Sequence, residues 1–189
     1  SDGSGAEGAT DAVPAADINP HDRGDLEEGG TLRFAMSGMP TYWLPMHIAG
    51  NGVDLNNIWS YTSVVNWIYN PDSTFDVNPA YVKSYEFKEG DEAANGKQEV
   101  VLHLNEKAAW NDGTPITWED YAATGAACGR AEAADGEEDG DEVSPFECAS
   151  TDGYDHWESV EQGDGEFDVV INFTEVFPDW SAALSTVYP

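Results

Sequence analysis

Residues 100–121 constrain the fold more than any other stretch, because each local structure leads directly to the next. Val100, Leu102 and Leu104 alternate with Val101 and His103, the period-2 pattern of a strand. Asn111-Asp112-Gly113-Thr114 then supplies turn chemistry, since Gly113 tolerates positive φ and Asn or Asp side chains bond nearby backbone. Pro115 biases Thr114 toward an extended conformation. Thr117 opens a helix, and Asp120 at its third position approximates a capping box with Asp in place of Glu. Trp118, Tyr121, Ala122 and Gly125 share one face of that helix, and Gly129 suits its end. The reading is strand, turn, extended hop and helix start.

The remaining pattern extends in both directions. Leu32, Phe34 and Met36 fall on one face of a predicted strand over 31–37, followed by a Pro-punctuated loop at 38–45 with Tyr42 and Trp43. A helix capped by Asp54 is predicted from the spacing of Leu55, Ile58, Trp59, Thr62, Val65 and Tyr69, with Asn70-Pro71-Asp72 stopping it. Residues 81–87 read as a strand that pairs antiparallel with 99–104 across a turn marked by Asn95-Gly96. Strands are expected at 156–161 and 167–173, with Phe167, Val169, Ile171 and Phe173 on one face and a turn at 163–166 between them. Pro178 suits the first turn of a short helix carrying Trp180, Ala183, Leu184 and Val187. Residues 1–28 lack periodicity and read as a flexible leader. Nine of the eleven residues 132–142 are Asp, Glu or Gly, so that run is a solvated loop without an EF-hand rhythm. No internal repeat is evident. The element order is mixed α/β with α+β character.

The charge excludes some functions. With 37 acidic and 7 basic residues, a net charge of -30 repels nucleic-acid phosphates and anionic lipid surfaces. The excess reads first as solubility, and more sharply as steering of cationic ligands. Hydrophobic residues at 40% and aromatics at 12% supply enough material for a core. No apolar window is long enough to span a membrane. Cys128 and Cys148 are expected to form a disulfide in a secreted protein, two buried free thiols being the alternative. Zinc is not expected, since no CxxC or HxxxH spacing supplies further ligands. Ser1 in place of Met, and an end at Tyr188-Pro189 without a closing element, lead to the expectation of a trimmed chain.

Catalytic chemistry finds little support. His21, His47, His103 and His156 are scattered, and His103 reads as a hydrogen-bonded structural residue. No nucleophile elbow, HExxH, P-loop or dinucleotide fingerprint occurs. Glu119 and Asp120 are adjacent carboxylates, yet helix neighbours point about 100° apart and Asp120 serves the cap. No catalytic residue, metal site or cofactor is expected.

The segment Val-Val-Leu-His-Leu-Asn-Glu-Lys-Ala-Ala-Trp-Asn-Asp-Gly-Thr-Pro-Ile-Thr-Trp-Glu-Asp at 100–120 resembles the hallmark of the dipeptide- and oligopeptide-binding family (family 5) of ABC-transporter extracellular solute-binding proteins. In that family an F-x-L-R strand precedes W/F-x-D-G-x-P-x-T-A-E-D-V. Asn105 stands here for the usual Arg, Trp118 for Ala and Tyr121 for Val; none of these is a turn residue. Residues 30–35 resemble the family's first strand, and Trp67-Ile68-Tyr69-Asn70 with Asn78-Pro79-Ala80 and Tyr85-Glu86 its next helix and segment. Gly153-Tyr154-Asp155, Ser159-Val160-Glu161 and residues 167–173 resemble its following hairpin. The resemblance covers about residues 29–189, the N-terminal portion of such a protein.

The resemblance implies a type II periplasmic-binding-protein-like fold, with a partial main lobe and a small accessory lobe. It assigns 29–55 to the first main-lobe segment, 56–165 to the accessory lobe and 166–189 to the return into the main lobe. A peptide would bind in the interlobe cleft by main-chain groups and pass to permease subunits of an importer. Ser37, Gly38, Met39, Pro40, Tyr42 and Trp43 would line the cleft, ordinary packing being the alternative for Tyr42 and Trp43. Trp110 and Trp118 are expected in the core. The expected protein is a monomer, extracellular or at the cell surface, anchored by an N-terminal lipid in its full-length form. A sugar, a metal complex or haem is the alternative ligand. A polysaccharide-acting enzyme and an acidic surface module without a small ligand are more distant readings.

Overall fold

The computed structural model describes residues 21–70, 72–129 and 146–189. The acidic run 132–142 and most of the leader lie outside the described residues; residues 21–22 and 24–28 are exposed, and Arg23–Asp25 form a 3-10 turn.

The ordered elements follow as α1 (Val53–Thr62), β1 (Val64–Val65), β2 (Trp67–Tyr69), β3 (Phe75–Val77), β4 (Val82–Glu89) and β5 (Gln98–Leu104). Then come α2 (Trp118–Cys128), β6 (Trp157–Gln162), β7 (Asp168–Phe173), α3 (Trp180–Ala183) and β8 (Thr186–Val187). The main sheet has the order β4-β5-β7-β6, with every neighbouring pair antiparallel. Two small antiparallel pairs, β1 with β8 and β2 with β3, stand beside it.

Register explains the two faces of the sheet. Leu102 lies opposite Tyr85 and Val169, and Val100 opposite Phe87 and Ile171, so these side chains share a face. Val100, Leu102, Leu104, Val169, Ile171 and Phe173 are buried there, joined by Trp67, Ile116 and Tyr121. The helix α2 lies over β6 closely enough that a Cβ on Gly125 would sit 2.7 Å from Cε3 of Trp157. The opposite face is polar: Lys88 pairs with Glu99 at 2.7 Å and with Glu86 at 3.4 Å. His103 Nδ1 lies 2.7 Å from Asp168 Oδ1, with Glu86 3.5 Å from its other nitrogen, as expected of a structural histidine.

The turn chemistry forms as expected. Gly96 and Gly113 adopt φ of 72° and 90°. Thr117 caps α2 in a complete capping box with Asp120, and Gly129 follows its last residue. The amide of Asn95 ties its turn to the Phe173 carbonyl at 2.9 Å.

Four expectations are corrected. Residues 31–36 form no strand, and Leu32, Phe34 and Met36 are exposed, because no described strand offers them a ladder. The helix from 53 stops at Thr62 rather than near Asn70: Ser63 turns extended and returns its amide to the Trp59 carbonyl, and Val65 and Tyr69 enter strands. β-branched Val64-Val65 suits the pairing with β8 better than a helix interior. Gly52, not Asp54, is the N-cap of α1. Likewise the helix after Pro178 is only Trp180–Ala183, and Val187 belongs to β8.

Candidate functional site

The loop 37–45 is held at both ends by α1. The Asp54 carboxylate accepts from the Ser37 amide at 3.0 Å, the Gly38 amide at 3.2 Å and the Ser37 hydroxyl. These bonds, that of the Ser37 hydroxyl foremost, keep Asp54 below the ordinary carboxylate range. Further along, the Trp59 indole donates to the Trp43 carbonyl at 3.1 Å. The return path 46–52 turns tightly around His47, whose carbonyl accepts from Gly50 at 2.8 Å and Asn51 at 3.0 Å. A Cβ on Gly50 would stand 2.1 Å from the Leu44 carbonyl oxygen, so only glycine fits that approach. The ring of Tyr42 lies against His47, with centroids 4.4 Å apart.

An open cavity of about 420 Å³ lies between these two passes of the chain. Of the residues singled out in sequence, Ser37, Gly38, Met39, Pro40 and Tyr42 border it, whereas Trp43 does not. Trp43 is half exposed beside α1, and Met39 is more exposed than Tyr42 or Trp43. Residues 49–55, which form the opposite wall, were not anticipated from sequence. The signal available was Gly50-Asn51-Gly52 ahead of a helix, a run that lets backbone approach closely. The cavity therefore offers backbone groups, one carboxylate and an aromatic ring, the furniture of a binding pocket.

Elsewhere the polar groups that hinted at catalysis are committed to structure. Asp120 accepts from the Trp110 indole at 3.2 Å and from the Thr117 amide at 2.8 Å. Trp110 and Trp118 pack against the core. The imidazole of His156 stacks on Phe177 at 4.4 Å. Among the described residues no group of three His, Cys, Asp or Glu is placed to hold a metal. Cys128 and Cys148 are joined as a disulfide, with Cα atoms 5.5 Å apart.

The fold is that of the type II periplasmic binding proteins. The periplasmic EDTA-binding protein EppA aligns with a TM-score of 0.61 and 23% identity over 78% of this chain and 25% of its own. The oligopeptide-binding protein AppA from Bacillus subtilis, solved with a nonapeptide, aligns with a TM-score of 0.55 and 15% identity, over 80% of this chain and 26% of its own. No family model matches the chain. The oligopeptide-binding proteins OppA of Mycobacterium bovis and Mycobacterium tuberculosis are each 30% identical over 165 residues, 87% of this chain. Over those 165 residues the chain is similar to these oligopeptide-binding proteins. It spans about a quarter of the length of those curated relatives, 25% in each case.

Proposed function

We propose that this chain is part of an extracytoplasmic solute-binding component of an ABC importer, and that it binds peptides beside the loop 37–45. The observation that carries the reading is the 30% identity, over 87% of the chain, to proteins named for oligopeptide binding. Ser37, Gly38, Met39, Pro40 and Tyr42 form one wall of the ligand site and residues 49–55 the other. Trp43 contributes its carbonyl, through Trp59, to the shape of the loop. Backbone groups at both walls suit a peptide main chain, which is recognised without regard to side-chain identity. Asp54 holds the donors of Ser37 and Gly38 in place, so it shapes the wall. The net charge of -30 favours approach of cationic peptides.

In this reading the protein is a carrier and not an enzyme, and its partners are permease subunits that accept the loaded form. It works as a monomer tethered outside the membrane by an N-terminal lipid. No helix among the described residues is long and apolar enough to cross a membrane. Residues 29–55 belong to the main lobe and those from 56 to the accessory lobe. The boundary drawn from sequence between 165 and 166 falls in the turn joining β6 to β7, which pair along their length. We therefore keep β7 with the accessory lobe and start the return after Phe173. EppA is named for a metal chelator, which makes a chelated metal the second ligand class.

Calorimetric titration of the full-length protein with peptide pools, oligosaccharides and metal chelates tests this. Peptide binding is expected, weakened at least tenfold by Tyr42→Ala and by Asp54→Ala. Binding of oligosaccharides alone would sink the peptide assignment. Variants that bind peptide within twofold of the parent would move the site elsewhere.

A further inference from the structure

We propose that the Cys128–Cys148 disulfide is a strap that positions the wall of the ligand cavity by fastening it to the end of α2. The ligand part of this inference rests on the function proposed above; the mechanical part does not.

One end of the strap is firm. The helix α2 is capped at its start by Thr117 and Asp120, seats Gly125 against Trp157, and buries Tyr121 in the core. Cys128, its last residue, is almost wholly buried. The other end is a short segment, 146–149, that belongs to none of the sheets. It touches the cavity wall through an isolated antiparallel bridge between Cys148 and His47. The Ile48 amide donates to the Glu147 carbonyl at 2.8 Å, and the Ala149 amide to the Met46 carbonyl at 2.7 Å. The His47 ring meets Phe146 edge-on at 5.1 Å and also packs against Tyr42 at 4.4 Å.

His47 is also the pivot of the tight turn that places Ala49, Gly50 and Asn51 along the cavity. A continuous path thus runs from α2 through the disulfide, the 146–149 segment and the His47 turn to the cavity. The wall at 37–42 is anchored by Asp54, whereas residues 49–51 of the opposite wall are anchored by this path.

Two backbone hydrogen bonds outside a sheet contribute modestly and must offset the ordering of several residues. The covalent link changes that balance. It holds 146–149 next to its partner at high effective concentration, so the bridge forms whenever α2 is folded. Breaking the link leaves the sheet and α2 intact and releases the wall. A ligand must then order the loop as it binds, which lowers affinity.

The test uses the full-length protein in oxidised form, after treatment with a phosphine reductant, and as a Cys128→Ser/Cys148→Ser double variant. Amide hydrogen exchange is read at Ile48 and Ala149, and at Val101 and Ile171 in the sheet. Breaking the bond is expected to speed exchange at Ile48 and Ala149 at least tenfold and to leave the sheet amides unchanged. Unchanged exchange at Ile48 and Ala149 overturns the strap. Equal acceleration in the sheet overturns it too, because the bond would then stabilise the whole fold. In parallel, a nonapeptide pool titrated by calorimetry is expected to bind the oxidised protein about tenfold more tightly. Equal affinity in both forms refutes the positioning role even if exchange changes. Absence of peptide binding in both forms counts against the peptide reading, and exchange alone then decides the strap.

Discussion

Tyr121→Phe removes a single oxygen from the core, and its cost can be worked from the contacts of Asn66. That asparagine is fully buried between β1 and β2 with all its polar groups engaged. Its amide nitrogen donates to the Leu184 carbonyl at 2.8 Å, and its backbone N–H to the Ser185 carbonyl at 2.9 Å. Its own carbonyl accepts from the Asn78 amide at 2.8 Å, and its side-chain oxygen from the Tyr121 hydroxyl at 3.0 Å. The substitution keeps the ring and its packing, so no large cavity opens. What it leaves is the Asn66 Oδ1 without a donor in a site water does not reach, which costs about 1–3 kcal/mol. At about 2 kcal/mol, a chain of this size loses about 4–8 °C in Tm. Asn66→Leu is expected to cost about 2–5 kcal/mol, since it strands both the Tyr121 hydroxyl and the Leu184 carbonyl. Urea unfolding followed by Trp fluorescence measures both, provided m is unchanged. The double variant should be less destabilised than the sum of the singles, because the two losses share one bond. A Tyr121→Phe midpoint within about 0.5 kcal/mol of the parent, or strict additivity, would refute the idea that Asn66 is a hub.

Two further outcomes follow from other contacts. Gly125→Ala places a methyl 2.7 Å from the Trp157 ring, so helix or ring must shift; thermal melts should show a loss of about 1–3 kcal/mol. At His103 the hydrogen bond it donates to Asp168, with Glu86 adding, raises the imidazole above 6.5, while burial works against it. A raised folded value gives stability that is complete below pH 6.5 and fades as pH rises through that raised value. Burial pushes the Asp168 carboxyl up, but the His103 bond and the Gly165 amide bring it below 3.8, and Lys83 adds to this. The Asp168 contribution therefore fades in the opposite direction, on acidification. His103→Gln should flatten the decline above pH 6.5 in a series of denaturation midpoints, and an unchanged slope would refute the assignment.

Much of the fold was legible where neighbours in sequence decide structure. The capping box at Thr117 and Asp120, the positive φ of Gly96 and Gly113, and the faces of β5 and β7 all depend on side chains a few residues apart. The alternation of Val100, Leu102 and Leu104 was enough to orient the sheet, since a one-residue slip would turn every one of them to the polar face. The same local signals misjudged Val65, Tyr69 and Val187. Each sits at a spacing that also suits a helix; Tyr69 is instead taken by Phe75 across a short hairpin, and Val65 and Val187 by strands far away in sequence, pairing with Thr186 and Val64. Periodicity over two turns cannot weigh a partner more than a hundred residues distant.

The candidate site shows the same division more sharply. Its loop was assigned through the family resemblance, and Gly38, Pro40 and two aromatics marked only an irregular stretch there. Its far wall was not, because nothing near Gly50 in sequence shows the approach to Leu44 that forms when the chain folds back. Asp54 was misassigned for a related reason. A carboxylate in the first turn of a helix can cap its own helix or bind donors delivered from elsewhere, and both satisfy the same electrostatics. The choice fell to Ser37 and Gly38, whose amides reach Asp54 only because the loop doubles back over the helix start. Local chemistry thus named the groups able to build a pocket. Which of them face one another was settled by long-range closure, with the disulfide beyond α2 as its most distant fastening.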